Sequence, residues 1–502
     1  MTRSAAIDRA VDYFDSGSFL ADLERRVAIP TESQATESQA AESQAAESQA
    51  ADPVDGLRSY LEAEMIPALT RLGCTTRIVD NPVAGRGPFL VARRHEADEL
   101  PTVLVYGHAD VVLGEAERWR VGLEPWRVVV EGDRWYGRGT ADNKGQHTVN
   151  LVALDQVLRT RGGHLGFNLK VIIETGEESG SPGLAEVCAL LKDELSADLL
   201  IASDGPRVHA ERPTLFLGSR GTTAFTLRVP LRERAHHSGN WGGLLRNPAT
   251  VLANALSTLV DGRGRILVPG LRPDAVPESV RAALADITVG GGKDDPAVDE
   301  GWGEPGLTPA ERLVGWNTLE VLALSAGDPV APVGAIPGTA HAHCQLRFVV
   351  GTDPATLGQA LRDHLDRHGF PMVEVEVGWT MRATRTDPDD PWVRWAARSV
   401  ERTTGEPPAV LPNLGGSIPN DAFADVLGLS TVWVPHSYPA CAQHAPDEHL
   451  LAPLARQALQ IMAGLFWDLG DGPGDGDGPG DGRGPGDGPS HEGDGPIHEK
   501  GH

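Results

Sequence analysis

The residues best suited to chemistry are histidines and carboxylates that directly follow short apolar segments. His108 and Asp110 lie in GHAD after one such segment, three glutamates lie in ETGEESG after a second, and Asp204 lies in SDG after a third. Imidazole and carboxylate groups bind divalent cations and also carry protons in acid–base catalysis. The residue types therefore indicate a metal site or an acid–base site.

The first two motifs each also fit an ordinary structure. His108 and Asp110 are two residues apart, so a strand would direct both side chains to one face, where the carboxylate could orient the imidazole. A hydrogen-bonded pair at a strand end has the same pattern. Asp142 lies in GRGTADNKG, where glycines permit a tight backbone path, but such a sequence also forms simple turns.

The glutamates Glu174, Glu177 and Glu178 form an acidic cluster. Burying several carboxylates together raises their pKa values or requires cations, which favours a metal or acid–base site. Adjacent Glu177 and Glu178 can point in different directions, so one could bind metal while the other carries a proton of water. A solvated acidic loop would have the same sequence.

Alternating apolar segments and helical patterns predict an α/β fold that would position these residues. Four continuously apolar segments are typical of parallel strands buried on both faces: 103–106, 169–173, 199–201 and 431–434. Ligands of open α/β sheets bind beyond the carboxyl ends of the strands. We therefore expect the motifs after these strands, and the loop containing His444, to meet at one site. Two histidines and three carboxylates there would suit two borderline cations such as Zn²⁺.

The middle of the chain has a different pattern. Residues 222–230 and 341–350 alternate as half-buried strands do, and residues 247–260 form an amphipathic helical pattern between them. We expect an inserted α+β domain that separates two segments of a catalytic domain. The expected division is 1–212 and 383–469 for the catalytic domain and 213–382 for the insertion.

Composition and charge restrict the function. The chain of 502 residues has 44 Lys and Arg against 70 Asp and Glu, and its net charge of −26 excludes a general basic surface for nucleic acid or anionic lipid. We expect no membrane span and no apolar signal core, and therefore a soluble cytoplasmic protein. The four cysteines are far apart and predict neither a disulfide framework nor a cysteine zinc site.

Two segments lack the apolar residues that a core needs. Residues 31–52 repeat the unit ESQA with a glutamate every five residues, a period of neither helix nor strand, and we interpret them as a solvated insertion. Residues 470–502 form an acidic tail rich in glycine and proline, which we expect to be disordered.

The motifs form an ordered series that resembles a known family. HAD, GRGTADNKGQ, ETGEESGSPG, SDG, HSGNWGG and the late His444 are similar to the motifs of the dinuclear zinc metallopeptidases that include carnosinase-type dipeptidases, aminoacylase, acetylornithine deacetylase and succinyl-diaminopimelate desuccinylase. The resemblance implies a mixed, mostly parallel sheet flanked by helices, with an inserted α+β lid domain through which the chain forms a homodimer.

The resemblance also implies a ligand set for two metal ions. Asp142 would bridge them, with His108 and Asp204 completing the shell of one ion and Glu178 and His444 completing the shell of the other. The metals would be zinc, with cobalt or manganese as alternatives that similar ligands accept.

Further roles follow from the same resemblance. His237 in HSGNWGG would reach a partner subunit's active site and stabilise the developing oxyanion, although it could also cap a glycine-rich loop. Arg347 in QLRFVV would grip the substrate carboxylate, although an outward arginine on a strand has the same pattern. Gly416 and Ser417 in NLGGSIPN would form a substrate-binding loop.

Together these features predict hydrolysis of the amide bond of dipeptides or short peptides. Water activated by two metals would attack, with Glu177 as general base and Asp110 as the partner of His108. Family members that act as dipeptidases or aminopeptidases tend to have Asp at the position of Asp204, whereas deacylases and carboxypeptidases tend to have Glu. Two alternatives stay open: an N-acyl amino acid deacylase with the same site, and a non-catalytic metal-stabilised binding protein, which has no need for Glu177.

Overall fold

The computed structural model describes residues 2–34, 53–290 and 296–472. The strands, in chain order, are β1 (Thr75–Val79), β2 (Phe89–Arg94), β3 (Thr102–His108), β4 (Val129–Glu131), β5 (Arg134–Tyr136), β6 (Asn168–Glu174), β7 (Leu199–Ala202), β8 (Thr214–Phe216), β9 (Gly218–Ser219), β10 (Gly221–Pro230), β11 (His236–His237), β12 (Thr318–Ser325), β13 (Ala335–Ile336), β14 (Thr339–Phe348), β15 (Glu374–Met381), β16 (Thr384–Arg385), β17 (Ala409–Leu411), β18 (Ser430–Trp433) and β19 (His449–Leu451).

The α-helices are α1 (Arg3–Asp15), α2 (Ser18–Val27), α3 (Pro53–Tyr60), α4 (Ile66–Arg71), α5 (Lys144–Thr160), α6 (Leu184–Leu190), α7 (Lys192–Leu195), α8 (Ser238–Trp241), α9 (Pro248–Leu259), α10 (Glu278–Leu284), α11 (Pro309–Val314), α12 (Leu357–Arg367), α13 (Pro391–Thr404) and α14 (Ala452–Gly470). Two π-helical turns span Leu61–Met65 and Ala422–Leu427, and 3₁₀ turns span Ala116–Arg118, Glu177–Ser179, Pro269–Leu271 and Pro354–Thr356.

The central sheet has eight strands in the order β1-β2-β6-β3-β7-β18-β8-β17. Strands β6, β3, β7 and β18 are parallel to one another, whereas β1, β2 and the β18–β8 junction add antiparallel pairs. The four apolar segments predicted as buried parallel strands are β3, β6, β7 and β18. The prediction of a mixed, mostly parallel sheet is therefore confirmed.

Helices cover both faces of this sheet, which explains why its strands are apolar throughout. Helices α1, α5 and α14 contribute to one core, and α6 and the π-helical turn Ala422–Leu427 contribute to the other. Each buried CH₂ group stabilises such a core by about 0.8 kcal/mol. Within the described ranges, no helix combines the length and the apolar character needed to cross a bilayer.

The second sheet is entirely antiparallel, with the order β12-β14-β10-β15. Strands β10 and β14 and helix α9 match the ranges predicted from the alternating and helical patterns. Helices α9 and α12 pack on one face of this sheet. Strand β12 forms an edge, and its Leu322 and Leu324 are 62% and 58% exposed.

The predicted insertion, residues 213–382, is divided between two cores. Strand β8 belongs to the central sheet, so the antiparallel sheet begins only at Gly221. Helices α10 and α11 pack in the same core as Phe216 and Phe423 of the catalytic domain. Part of the range 213–382 thus packs with the central sheet, while β10, β12, β14 and β15 form the separate antiparallel sheet.

The low-complexity segment does not begin in solvent. Thr31 and Ser33 are buried, and the Thr31 hydroxyl donates to the carbonyl of Ala109 at 2.7 Å. The Glu32 carboxylate accepts from the backbone N–H of Gly114 at 2.6 Å. The interpretation of a solvated insertion is thus wrong for residues 31–34. Residues 35–52 lie outside the described residues, as do 473–502, to which the prediction of a disordered tail mainly applies.

Candidate active site

The four parallel strands of the central sheet end side by side, as the sequence predicts. His108 ends β3 and is in register with Glu174, which ends β6, while Tyr106 of β3 is in register with Ala202 of β7. Strand β18 lies on the other side of β7. The loops after these strands therefore share one edge of the sheet.

The five residues expected to hold metal lie together at this edge, with the carboxylate of Asp142 in the middle. One carboxylate oxygen, Oδ1, is 2.9 Å from His108 Nε2, and the other, Oδ2, is 3.0 Å from His444 Nε2. Asp204 Oδ2 lies 3.5 Å from His108 Nε2, and Glu178 Oε2 lies 3.1 Å from His444 Nε2. Asp142 thus separates a His108–Asp204 side of the cluster from a His444–Glu178 side.

Asp110 holds the turn that carries the two glutamates. Its carboxylate accepts from the backbone N–H groups of Glu177 and Glu178 at 3.1 and 3.0 Å. The nearest partner of His108 Nδ1 is the carbonyl oxygen of Asp110 at 3.1 Å, and an oxygen of the Asp110 carboxylate is at 3.4 Å. Asp110 therefore connects His108 to the Glu177–Ser179 turn and does not only orient the imidazole.

Burial and mutual repulsion dominate the electrostatics of the carboxylates. Burial raises the pKa of Glu178 to about 8, and the charge of Asp142 adds to the increase. The pKa of Glu177 is well above its usual range and that of Asp204 is raised, in both cases mainly because of burial. Hydrogen bonds to Asp142 and Glu178 raise the pKa of His444 to about 11.

The donor set fits divalent cations. His108, Asp142 and Glu178 offer ligand atoms that lie within 4.8 Å of one another. Glu178 Oε1 is buried without a hydrogen-bond partner, and in the described parts of the chain the ion pairs of Asp142, Glu178 and Asp204 are all with histidines. Buried carboxylates in this number need positive charge, and imidazole together with carboxylate is a donor set suited to zinc-like ions.

Arg347 connects the antiparallel sheet to the catalytic domain. Its Nη1 donates to the hydroxyl of Ser417 at 3.1 Å, and that hydroxyl donates to the carbonyl of Arg220 at 2.8 Å. Gly416 precedes Ser417 in the same loop. The structure thus brings together the three residues predicted to bind the substrate's end.

His237 is not brought to the cluster by its own chain. It lies on the short strand β11, is exposed, and has no hydrogen bond or ion pair to the cluster among the residues that the structure describes. A role in its own subunit's site is therefore not supported by contacts.

Several residues around the site were not identified from the sequence. Gln443 donates from its side chain to Asp142 Oδ2, and buried Arg220 donates to the carbonyl of Gly415 at 2.7 Å. Arg138 and Glu448 form a buried ion pair at 2.9 Å behind Asp142. The only sequence feature that could have indicated Arg138 and Glu448 is that both are close in sequence to predicted metal ligands. Arg138 lies in GRGTAD with Asp142, and Glu448 follows His444 by four residues.

Comparison with known proteins identifies the family. Residues 104–468 match the sequence profile of Peptidase family M20/M25/M40. The chain belongs to this family. The resemblance drawn from the motif series is therefore confirmed, and the chain is an M20 family metallopeptidase, a metal-dependent hydrolase whose match includes all five residues of the cluster.

Two relatives have names that describe dipeptidases. The chain is 26% identical over 409 residues to Beta-Ala-His dipeptidase of Mus musculus, covering 76% of this chain and 80% of that protein. It is 28% identical over 357 residues to Cysteinylglycine-S-conjugate dipeptidase of Corynebacterium striatum, covering 68% of this chain and 75% of that protein.

Solved structures share the fold. The M20 family metallo-carboxypeptidase Sso-CP2 of Sulfolobus solfataricus matches with a TM-score of 0.75 at 24% identity, covering 90% of this chain and 99% of that one. Human carnosine dipeptidase 1 matches with a TM-score of 0.73 at 22% identity, covering 93% and 99%. These likenesses confirm the predicted fold class.

Proposed function

We propose that this metallopeptidase cleaves dipeptides or short peptides and uses two divalent cations, zinc in preference to cobalt or manganese. The observation that carries the proposal is the placement of the Asp142 carboxylate, with one oxygen directed to His108 and the other to His444. A carboxylate in this position could serve as a ligand to both cations. The names of the two dipeptidase relatives support the substrate class.

Two sets of residues would hold the cations. His108 and Asp204 would hold one cation and Glu178 and His444 the other, with Asp142 shared between them. Bound there, the cations supply a Lewis acid for the scissile carbonyl and lower the pKa of water toward about 7. Zinc is favoured because each set combines an imidazole with carboxylates.

Glu177 would move the proton. Its turn is held by the Asp110 carboxylate, which fixes Glu177 beside Glu178 and next to the cluster. Glu177 would take a proton from the attacking water as the new carbon–oxygen bond forms. It would pass that proton to the amine nitrogen as the carbon–nitrogen bond breaks.

The loop of Gly416 and Ser417 and the guanidinium of Arg347 would hold the substrate's carboxylate end. The Arg347–Ser417 hydrogen bond at 3.1 Å shows that the guanidinium reaches this loop. A planar guanidinium can donate two parallel hydrogen bonds to a carboxylate. Such a grip selects a peptide with a free carboxylate.

A homodimer would complete the site. His237 is exposed and stays outside the cluster of its own chain, so we propose that it acts in the partner subunit's site, where it would stabilise the oxyanion. Strand β12, with Leu322 and Leu324, is an edge of its sheet among the described residues and offers a second copy an apolar surface and a strand to pair with. The placement of four buried free cysteines supports a reducing, cytoplasmic location.

The test is hydrolysis of matched substrates. Metal-stripped protein is assayed with dipeptides and the corresponding N-acetyl amino acids, with and without added zinc, cobalt or manganese. We expect metal-dependent release of the amino acid from free-amino dipeptides. A preference for the N-acetyl substrates, or binding of two cations without turnover of either set, would contradict the proposal.

A further inference from the structure

A buried carboxylate near the cluster accepts hydrogen bonds from the backbone of the loop that carries Asp142. Glu448 Oε1 accepts from the N–H groups of Gly139, Ala141 and Asp142 at 3.0, 2.9 and 3.0 Å. Its Oε2 accepts from Gly139 N at 3.1 Å and from Arg138 Nη1 at 2.9 Å. Both oxygens of Glu448 are thus occupied by donors of the single segment 138–142.

Arg138 extends this contact to other parts of the site. Its guanidinium also donates to the carbonyl of Ala445, next to His444, at 3.0 Å, and to the carbonyl of Leu113 at 2.9 Å. The side chains of Arg138 and Glu448 are each 1% exposed. The pair is therefore a buried connection between the Asp142 loop and the His444 loop.

The His444 loop needs such support. Ala442, His444 and Asp447 have φ values of 58°, 60° and 63°, in the left-handed region that residues other than glycine rarely adopt. Conformations of this kind persist only where the surrounding structure holds them. By contrast, His108 lies on β3 and Asp204 follows β7, so the strands of the central sheet position these two side chains.

We propose that Glu448 and Arg138 are positioning residues that set the distance between Asp142 and His444. This distance would determine how tightly a cation binds on the His444–Glu178 side of the cluster. This inference rests on the proposed two-cation site. It assigns the pair mainly to the His444–Glu178 side of the cluster, since that side depends on both connected loops.

The test is cation binding by Glu448→Gln. A glutamine presents an NH₂ group to the N–H and guanidinium donors around it, so at least one hydrogen bond of the pair or the loop is lost. Metal-stripped protein is titrated with Co²⁺ or Zn²⁺, and the two dissociation constants are measured together with kcat, KM and the unfolding midpoint of the stripped protein. We expect one of the two dissociation constants to rise about 10- to 100-fold and the other to stay nearly unchanged.

A matched control lies at the opposite edge of the sheet. Glu96 accepts from Leu165 N at 2.7 Å, from Gly166 N at 2.9 Å and from Arg94 Nε at 2.9 Å, and its side chain is 8% exposed. Glu96→Gln therefore makes the same chemical change away from the cluster. We expect it to lower the unfolding midpoint while both cation affinities stay at the wild-type values.

A second variant covers the case in which Glu448→Gln fails to fold. Arg138→Lys keeps the charge, but a single ammonium group cannot reach Glu448, Ala445 and Leu113 as the guanidinium does. We expect the same selective weakening of one cation position, with Arg94→Lys as its control.

The outcomes separate this inference from the proposed function. If the wild type binds two cations and Glu448→Gln binds both with wild-type affinity, the positioning role is wrong and the pair is only structural. The same conclusion follows if the Glu96 control weakens cation binding equally. If the wild type itself binds fewer than two cations, the two-cation site fails before the variants are compared.

Discussion

The two halves of the proposed active site differ in how completely one chain builds them. At the edge of the central sheet, His108, Asp142 and Asp204 are buried and connected by short contacts. On the antiparallel sheet, Arg347 reaches Ser417, but His237 is exposed and has no contact with the cluster within the described chain. Under the proposed function, cation binding and proton transfer would therefore belong to one subunit, the substrate grip would come from the second sheet of the same chain, and oxyanion stabilisation would depend on a partner.

The largest effect is expected from a substitution of Asp142, which lies at the centre of the cluster at the edge of the central sheet. Asp142→Asn removes the negative charge shared by both cation positions, so we expect loss of both cations on dialysis and loss of measurable turnover. Metal analysis of the dialysed protein checks this. Asp155→Asn, on helix α5, is the control and should keep two cations. Two retained equivalents in Asp142→Asn would show that Asp142 is not the shared ligand.

A substitution of Glu177, the proposed general base, tests the same cluster without removing a metal ligand. Glu177→Gln should keep the fold and two cations but lower kcat by about 10²- to 10⁴-fold, the usual contribution of general acid–base catalysis. Steady-state kinetics and metal analysis on one preparation measure both quantities. Wild-type kcat in this variant would rule out Glu177 as the base.

A variant of His237 tests the part of the proposed site that lies on the antiparallel sheet and in a partner. If the partner subunit's site uses this side chain, His237→Ala should lower kcat by about 10²- to 10³-fold without changing cation content. Mixing His237→Ala with Glu177→Gln after subunit exchange should restore activity to about a quarter of the wild-type value, because half of the dimers then contain one intact site. No recovery, with exchange verified by mass, would place His237 outside the partner's site.

A smaller effect, on KM, is expected from a substitution of Arg347 on the antiparallel sheet. Arg347→Ala should raise KM for dipeptides by about 10- to 100-fold, because a hydrogen bond to a charged group contributes about 1.5–3 kcal/mol. The matched substrate is a dipeptide amide, which lacks the carboxylate and should be almost insensitive to the variant. Equal effects on the acid and the amide would contradict the grip on the carboxylate.

The residues at the edge of the central sheet were also easier to predict from the sequence than those on the antiparallel sheet. Strands β3, β6, β7 and β18 are continuous apolar segments, and the rule that ligands bind beyond the carboxyl ends of parallel strands brings together His108 and Asp204. Glu448 and Arg138 were missed because a lone Glu and a lone Arg have no periodicity, and only the folded loops show what they bind. The sequence analysis did not identify helices α10 and α11, which lie within the range 213–382, and no pattern in their residues shows that they pack with Phe216 and Phe423.

The same limit explains the error at residues 31–34. A repeat without large apolar residues cannot build a core, but its first residues can pair with residues of an existing one. Thr31 and Glu32 do so through hydrogen bonds to the backbone of Ala109 and Gly114, which composition does not show.

The most direct test of the central claim is a zinc titration of the metal-stripped wild type, with bound metal and dipeptide hydrolysis measured at each step. Since Asp142 lies between two ligand sets, we expect binding to saturate at two equivalents and turnover of a free-amino dipeptide to reach its maximum only as the second equivalent binds. Saturation at one equivalent with full turnover, or two bound equivalents with no hydrolysis of any dipeptide, would contradict a two-cation peptidase.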